Sequence, residues 1–341
     1  MRPELFSIPF LHFGIPSYGA MLVLGFITAI TLAQYRCRKM GENPEHIGNF
    51  GVMALLAGVL GARLFHVFHH WSDYRDNLGG IFAVWSGGLE FLGGVIAALA
   101  VMILYFRGKK LPVLKFLDIL APALMLGLAF GRMGCFLNGC CFGAPCELPW
   151  AIRFPPLVKS VQSGCQKNNH SQYSYPFEYQ LTPDGQRNSD GTALVQLPAD
   201  YYGSYMDNQG HWARTPDVFP PGTKYIAYPK HPDELTAEQR DALKEGKHPM
   251  HPIHPAQIYS LVNALLLCGI LLILSRRRKF DGQIFAFMLI LYGISRYFLE
   301  SLRTDSPLEF GVLTISQILS LIAVPLGIVM LVALRRRKLH H

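Results

Sequence analysis

Long apolar segments recur from one end of this chain to the other and restrict its possible folds. Each has about 19 to 23 residues, and a helix of that length spans the roughly 30 Å of hydrocarbon in a bilayer. Only 16% of the residues are charged, against roughly 25% in a soluble domain. The sequence therefore predicts an all-α polytopic membrane protein with about seven transmembrane helices. The predicted helices are residues 17–35, 48–70, 88–106, 113–131, 256–274, 282–301 and 312–334.

Basic clusters follow every second apolar segment and predict the orientation. They lie at residues 36–39, 107–110, 276–279 and 335–338. Because Lys and Arg accumulate in cytoplasmic connections, we expect the N-terminus outside and the C-terminus in the cytoplasm. The clusters also account for the net charge of +8, and no context for binding nucleic acid accompanies them. The start of the chain lacks the pattern of a cleavable signal peptide, so the first helix is predicted to be a permanent anchor.

The segment between the fourth and fifth predicted helices differs in composition. Residues 145–253 are rich in Pro, Gly, Asn, Tyr and charge, and the predicted topology places them outside. Within this segment, Thr236-Ala-Glu-Gln239 is typical of a capping box that opens a short helix, with an expected end near Gly246. We therefore divide the chain into residues 1–144 with four helices and a substrate-binding loop, an extracytoplasmic lobe at 145–253, and three helices at 254–341.

Two predicted helices carry arginine at membrane depth. Arg132 directly follows the fourth apolar segment in the run Gly131-Arg-Met-Gly-Cys-Phe-Leu-Asn138, and Arg296 lies in the sixth segment. An arginine in hydrocarbon is costly unless it faces a cavity or a partner, which makes both candidate functional residues. Four- and three-residue spacing places further polar residues on the helical face of Arg296: Tyr292, Glu300 and Arg303.

Most polar residues in the apolar segments fall in the predicted outer halves. These include Tyr18, Arg63, His66, Glu90, Asn138 and His254, whereas Asp118 lies near an inner end. A transporter usually has its polar groups near the midplane. A site open to the outer leaflet instead suits a lipid whose headgroup is handled at the interface. Since guanidinium groups bind phosphate bidentately, we predict a phospholipid headgroup held from the outer side.

Several of these features also have a purely structural interpretation. Glu300 is interpreted first as the counter-charge of the arginines, and Arg303 as either a ligand or a snorkelling side chain. Glu90 is either a proton acceptor or the partner of an arginine. The histidines at 66, 69 and 70 are interpreted as solvated residues at the interface rather than a metal site. For the glycines at 87–94 and 131–143, re-entrant backbone that lines a cavity is favoured over helix packing.

Five cysteines cluster on the predicted outer side, at positions 135, 140, 141, 146 and 165. Their C-x4-C-C-x4-C spacing is not that of a zinc site. Oxidising conditions outside the cell permit disulfides. We therefore expect at least one bridge among these cysteines, although not between the neighbours at 140 and 141.

Together, four runs of residues resemble the prolipoprotein diacylglyceryl transferase family, bacterial inner-membrane enzymes that begin lipoprotein maturation. The runs are residues 131–139, 87–94, 254–259 and 292–303, supported by Tyr18-Gly19 and Arg63. The match includes all seven apolar segments in order. Three positions depart from the family pattern: Leu92 replaces the usual His, Cys135 the usual Asn and Cys140 the usual Glu. With its long segment at 145–253, the chain is expected to be a divergent member with an extracytoplasmic insertion.

The resemblance implies transfer of the diacylglyceryl group of phosphatidylglycerol to a cysteine thiol, with release of glycerol phosphate. The partners would be phosphatidylglycerol, prolipoprotein signal peptides with a lipobox cysteine, and membrane lipids; no metal or organic cofactor is implied. We assign Arg132 and Arg296 to the phosphate, and Glu90 or His66 to the thiol proton. The predicted substrate-binding residues are Tyr18, Arg63, Gly93, Gly94, Asn138, Gly139, His254, Tyr292, Glu300 and Arg303.

Two other functions stay open. A quinone-linked membrane thiol oxidoreductase would explain the outer cysteines, and a phospholipid transporter would explain the arginines without any chemistry. Neither explains the ordered set of motifs.

Overall fold

A computed structural model describes most of the chain. The chain divides into two compact units, which are built from interleaved segments. The first unit comprises Met1–Leu24, Leu128–Leu265 and Tyr292–Val324, and the second comprises Gly25–Gly127, Leu266–Leu291 and Pro325–His341. Sequence predictions that concern residues 87, 165 and 246 lie outside the described residues. The structure describes residues 4–8, 13–75, 78–82, 88, 90–141, 143–144, 146–153, 178–181, 204–206, 212–214, 226–229, 236–245, 252–303 and 313–339.

Helices make up most of the described chain and follow the predicted order. Six of them are long and apolar enough to cross a membrane, and a seventh is a shorter apolar helix. The prediction of an all-α polytopic membrane protein is therefore confirmed, while the orientation and the division into three regions stay predictions. The helices are α1 (Ser17–Lys39), α2 (Glu45–His69), α3 (Trp71–Tyr74), α4 (Phe91–Gly108), α5 (Val113–Asn138), α6 (Ala237–Lys244), α7 (Ala256–Ser275), α8 (Gln283–Ser301) and α9 (Ile315–Leu339), with a 3-10 helix at Leu78–Phe82.

Short antiparallel strands accompany the helices of the first unit. Near the start, β1 (Glu4–Ile8) pairs with β2 (Phe13–Pro16). Within 145–253, the strands form one sheet in the order β3-β6-β4-β5. Helix α6 begins directly after Thr236, where the capping box predicts it. The strands of the sheet are β3 (Glu178–Leu181), β4 (Ser204–Met206), β5 (Trp212–Arg214) and β6 (Ile226–Pro229).

Helix α5 continues past its predicted end at residue 131 and reaches Asn138. The prediction of re-entrant backbone is therefore wrong for residues 131–138, because a chain in hydrocarbon satisfies its backbone groups best by remaining helical. A left-handed turn ends the helix, with φ of 74° at Gly139 and 61° at Cys141. The backbone nitrogens of Gly139 and Cys140 both donate to the Cys135 carbonyl, at 2.9 and 3.1 Å. These bonds satisfy the end of the helix and turn the chain sharply after Asn138.

Helices α2 and α4 of the second unit approach closely at glycines. A methyl group at Gly93 would overlap Phe65 Cβ and lie 2.5 Å from the Gly61 carbonyl, and one at Gly94 would lie 2.9 Å from the Gly58 carbonyl. Small residues allow membrane helices to approach at such crossings. Gly93 and Gly94 therefore lie within helix α4 and pack it against α2, which corrects the prediction of re-entrant backbone at these two positions. Gly88 lies outside the helices, with φ of 67°.

The fully buried carboxylate of Asp118 joins two helices of the second unit. It accepts hydrogen bonds from the backbone nitrogens of Gly282 and Phe285, each at 2.9 Å, and from Arg278 Nη1 at 3.3 Å. Because Phe285 is in the first turn of α8, the carboxylate satisfies otherwise unpaired donors at the start of that helix. Arg36 of α1 donates to the Asp118 carbonyl at 2.9 Å. The one polar residue predicted at an inner helix end thus has a structural role.

Candidate active site

An ion pair on α8 forms the centre of the site in the first unit. Nη2 of Arg296 lies 2.6 Å from Oε2 of Glu300 and donates to Ser316 Oγ at 2.9 Å. The Glu300 side chain is almost fully buried, and its Oε1 accepts a hydrogen bond from Thr314 Oγ1 at 3.3 Å. The interpretation of Glu300 as the counter-charge of an arginine is therefore confirmed. Removing one member of such a buried pair leaves an uncompensated charge, which is strongly destabilising.

Arg296 keeps one donor group for another partner. Its Nη1 is buried and has no hydrogen-bond partner among the described residues. A buried donor without a partner costs free energy, and in native structures such groups call for an explanation. An acceptor that comes from outside the chain, such as a phosphate oxygen, would complete the hydrogen bonding of this guanidinium.

Two further arginines add positive charge to the same part of the first unit. Arg132, in the last two turns of α5, and Arg303, just after α8, both lie within electrostatic range of Arg296. Arg132 is also within electrostatic range of the Tyr18 hydroxyl at the start of α1. Glu300 pairs with Arg296. Three arginines in one region are suited to an anion.

The turn that follows α5 is held by contacts on several sides. Gln257, which is 1% exposed, donates from Nε2 to the Cys140 carbonyl at 2.8 Å. The backbone nitrogen of Gly143 donates to the His254 carbonyl at 3.0 Å, and Gly143 forms a β-bridge with Arg303. A methyl group at Gly143 would lie 2.7 Å from His254 Cβ. The turn is therefore connected to the start of α7 and to the end of α8. Both helix ends belong to runs that resemble the family, at residues 254–259 and 292–303.

The expected disulfide does not form among the cysteines that the structure describes in this region. Cys135, Cys140, Cys141 and Cys146 are all free thiols, and Cys165 lies outside the described residues. Instead, the turn brings the first three sulfurs together, within 4.8 Å of one another.

One of these thiols lies in an electrostatically unusual environment. Hydrogen bonds from the Cys135 and Cys140 thiols lower the pKa of the Cys141 thiol, and the positive charges of Arg303 and Arg132 lower it further. A lowered pKa increases the fraction of thiolate at neutral pH, and the thiolate is the form that binds metals and reacts. Cys141 is therefore chemically distinct from an ordinary buried cysteine.

In the second unit, Glu90 faces three imidazoles. Its carboxylate oxygens lie 3.4 Å from His66 Nδ1, 3.1 Å from His69 Nδ1 and 3.7 Å from His70 Nδ1. The rings of His66 and His70 stack with centroids 4.4 Å apart. The interpretation of Glu90 as the partner of an arginine is therefore corrected, because the side chains that contact its carboxylate among the described residues are histidines. His66 is also less exposed than predicted, at 20% of its side chain against 63% for His69.

Arg63 of α2 holds the loop that precedes α4. Its guanidinium donates to the carbonyls of Ile81 at 2.9 Å, Gly88 at 3.0 Å and Gly80 at 2.5 Å. It also lies over the Tyr74 ring, 5.2 Å from the centroid. The side chain is buried, and its donor groups are hydrogen-bonded to carbonyl groups of the loop backbone. These contacts give Arg63 a positioning role for the loop, and its predicted role in substrate binding stays a prediction.

The predicted site residues thus form two groups, one in each unit. The first unit contains Tyr18, Arg132, Asn138, Gly139, His254, Tyr292, Arg296, Glu300 and Arg303, and the second contains Arg63, His66, Glu90, Gly93 and Gly94. Sequence reasoning missed Ser316 and Thr314, which contact the ion pair from the segment that begins α9. No periodicity or motif distinguished them. Gln257 had a signal, since it lies in the run at 254–259, but it received no role.

The helices define a class, a multi-pass membrane protein, and the arginines of the first unit are suited to an anionic group. Comparison with known proteins gives the family. The sequence matches the prolipoprotein diacylglyceryl transferase family over residues 3–333. The chain belongs to this family and is a transferase.

Three relatives carry the same enzyme name, phosphatidylglycerol–prolipoprotein diacylglyceryl transferase. The Clostridium tetani protein is 27% identical over 330 residues, which cover 96% of both chains. The Finegoldia magna protein is 28% identical over 335 residues, 98% of this chain and 95% of the relative. The Streptococcus uberis protein is 26% identical over 328 residues, 96% of this chain and 93% of the relative. The insertion expected at residues 145–253 stays a prediction.

Proposed function

We propose that this protein transfers the diacylglyceryl group of phosphatidylglycerol to the lipobox cysteine of prolipoproteins in the bacterial inner membrane. Family membership and the names of the relatives support the reaction and both substrate classes. One observation supports the location of the lipid headgroup more than any other. It is the buried Nη1 of Arg296, which has no hydrogen-bond partner among the described residues.

The reaction joins a sulfur to a carbon and breaks a carbon–oxygen bond. The cysteine thiolate attacks the glyceryl carbon that carries the phosphate, and the bonding electrons leave with glycerol phosphate. Negative charge therefore increases on the phosphate in the transition state. Cations preorganised in a site of low dielectric stabilise such charge without the cost of reorganisation. Arg296 and Arg132 would supply this stabilisation, with Arg303 as a third positive charge nearby.

Glu300 acts as a positioning residue in this proposal. Its 2.6 Å contact with Arg296 Nη2 and the hydrogen bond of that nitrogen to Ser316 restrict the rotation of the guanidinium. The planar guanidinium then presents Nη1 in one direction, toward an acceptor such as a phosphate oxygen. Asn138 and Tyr18, in the same unit, would complete the headgroup site as hydrogen-bond donors.

The acceptor thiol must lose a proton before it attacks, since a free thiol has a pKa of about 8.5 and the thiolate is the nucleophile. The assignment of this proton to Glu90 or His66 stays a prediction. The 3.4 Å contact between the two side chains supports treating them as one proton-accepting pair. Histidine as a class exchanges protons near neutral pH, and a neighbouring carboxylate stabilises the protonated ring.

Turnover by the purified protein tests the proposal. The detergent-solubilised chain is mixed with phosphatidylglycerol and a lipobox peptide, and both the thioether lipopeptide and glycerol phosphate are quantified. We expect equal amounts of the two products, and neither with a peptide in which serine replaces the lipobox cysteine. Lipid movement in vesicles without glycerol phosphate would favour a transporter, and oxidation of the peptide thiol would favour an oxidoreductase; either result without lipopeptide would overturn the proposal.

A further inference from the structure

Three thiols in the first unit form a cluster that the proposed transfer does not use. The sulfurs of Cys135, Cys140 and Cys141 all lie within 4.8 Å of one another, and none of the three is in a disulfide. Their spacing in the sequence does not follow a known zinc pattern. The cluster therefore results from the conformation of the chain after α5.

The backbone turn creates this arrangement. Cys135 lies in the last turn of α5, and the left-handed conformation of Gly139 reverses the chain so that Cys140 and Cys141 return to it. Cys141 is itself left-handed, with φ of 61°. A residue with a β-carbon rarely adopts this conformation, and such strain persists where the surroundings impose it, often at ligand sites.

The surroundings hold the cluster in place before any ligand binds. The Cys140 carbonyl accepts the 2.8 Å hydrogen bond from buried Gln257. Three residues later, Gly143 is paired with the His254 backbone and bridged to Arg303. Cys135 is only 7% exposed. A cluster fixed in this way loses little conformational entropy on binding, which favours a ligand that needs all three sulfurs at once.

The distances and the charges suit a metal ion. A Zn–S bond is about 2.3 Å, so sulfurs that share one ion lie about 3.8–4.0 Å apart, and small side-chain movements from the present separation are sufficient. Thiolates select soft ions such as Zn²⁺ and Cu⁺. Three thiolates around a divalent ion carry one net negative charge, and the charges of Arg132 and Arg303 act on this cluster and can balance it.

We propose that Cys135, Cys140 and Cys141 form a three-thiolate site for a thiophilic cation of the Zn²⁺ type. Binding replaces the three thiol protons by the ion and releases them to the solvent. The fourth coordination position stays open to water, as in zinc sites with three protein ligands. The ion links the end of α5 to the turn after Asn138, which is the role that a disulfide was expected to have. This proposal does not depend on the transferase reaction.

Titration with Cd²⁺ tests the site, because cadmium is a thiophilic analogue of zinc that gives a thiolate charge-transfer absorption. The full-length protein in detergent is reduced, freed of metal by a chelator, and titrated without lipid or peptide. We expect the absorption to saturate at one ion per chain, three thiols to become protected from maleimide, and excess Zn²⁺ to compete with the cadmium. Cys146→Ser should keep all three results, because this nearby free cysteine lies outside the cluster.

Replacing the cysteines one at a time identifies the residues that bind the metal ion. Cys135→Ser and Cys141→Ser should each weaken Cd²⁺ binding by at least about 100-fold, since even a partner outside the ligand set costs 10–100-fold. Helix content measured by circular dichroism separates this result from misfolding, and Cys141→Ser, at the less buried position, is the safer of the two variants. Unchanged Cd²⁺ binding in either folded variant would overturn the proposal, and so would the absence of the charge-transfer band in the wild type. The proposal would also be overturned if thiols became unreactive toward maleimide only in pairs, because that is the result of disulfide oxidation. These measurements do not involve transferase activity, so their outcome is independent of the proposed function.

Discussion

At the scale of single residues, Arg296 shows how a charge at membrane depth can serve a site. Its ion pair with Glu300 and its bond to Ser316 use one end of the guanidinium. The other end, Nη1, is buried without a described partner. A purely structural arginine would be expected to have all its donors satisfied, as Arg63 does more nearly with its three carbonyls. The two arginines therefore differ in their hydrogen bonding, although the sequence analysis assigned both to the site.

The first prediction concerns the two arginines assigned to the phosphate. Arg132→Ala and Arg296→Ala should each lower kcat/KM for phosphatidylglycerol by about 10²–10³ or more, because one lost transition-state donor commonly costs that much. Replacement by lysine should restore the activity only in part, since an ammonium lacks the planar fork. The readout is release of glycerol phosphate by purified variants.

Controls separate this effect from misfolding. Arg277→Ala removes an exposed arginine from the second unit and should leave the rate unchanged. Arg296→Lys keeps a counter-charge for Glu300, so a low rate with a normal melting temperature in that variant points to the site. Near-normal activity in either alanine variant would contradict the assignment of the two arginines to the phosphate.

The second prediction concerns the proton acceptor. If the Glu90–His66 pair accepts the thiol proton, Glu90→Gln and His66→Ala should be slow at neutral pH and recover as the pH rises, because hydroxide then forms the thiolate without a base. His69→Ala is the matched control, since this mostly exposed ring also contacts Glu90. Rates between about pH 6 and 9 distinguish the cases. If both variants keep the wild-type pH profile, deprotonation assisted by the phosphate becomes the better account.

At the scale of helices, two kinds of glycine have different consequences. Gly139 permits the left-handed turn that ends α5 and brings the cysteines together. Gly93 instead permits the close approach of α4 to α2. Both occur in runs that resemble the family, and a sequence pattern alone does not separate them. The difference is visible only when the neighbouring helix is in place.

The third prediction concerns this close approach. Gly93→Ala should destabilise the protein by about 1–3 kcal/mol, because the added methyl group overlaps Phe65 and the backbone of α2 and forces the helices apart. Gly108→Ala, at the end of the same helix, meets nothing within 4 Å and should have little effect. Thermal unfolding in one detergent compares the two variants. An equal melting temperature for Gly93→Ala and the wild type would contradict the packing role.

At the scale of the whole molecule, the chain passes repeatedly between its two units. Each unit contains residues from the beginning, middle and end of the sequence, so neither can be removed as a consecutive fragment. Both groups of predicted site residues depend on helices that are distant in the sequence. A truncation at residue 144 or 254 is therefore not a test of function, and point variants are the appropriate tools.

The fourth prediction concerns orientation, which the alternating basic clusters favour. A cysteine introduced at position 200, in the proposed outer lobe, should react with an impermeant maleimide in intact cells. A cysteine at position 337, in the last basic cluster, should react only after the membrane is opened. The unmodified protein measures the background from its own cysteines. The reverse pattern would invert the topology and with it the assignment of the site to the outer leaflet.

The sequence by itself determined the class of fold and the family. Apolar length is a local property, so seven helices could be counted directly, and the motifs around Arg132, His254 and Arg296 identified the family as an ordered set. The capping box before α6 was equally local. The residues of the proposed phosphate site were selected for the same reason, because a charge among apolar residues is visible in a single segment.

The tertiary structure decided which partner each polar group has. Arg63 binds loop carbonyls, Glu90 faces histidines, and Ser316 contacts Arg296 only because α8 and the start of α9 lie together. The cysteines show the same limit most clearly. Their spacing argued against a metal site and their predicted outer location for a disulfide, yet one left-handed turn places three free sulfurs within 4.8 Å. Such contacts depend on where the backbone turns and on which helices then become neighbours, and neither is a property of any single segment.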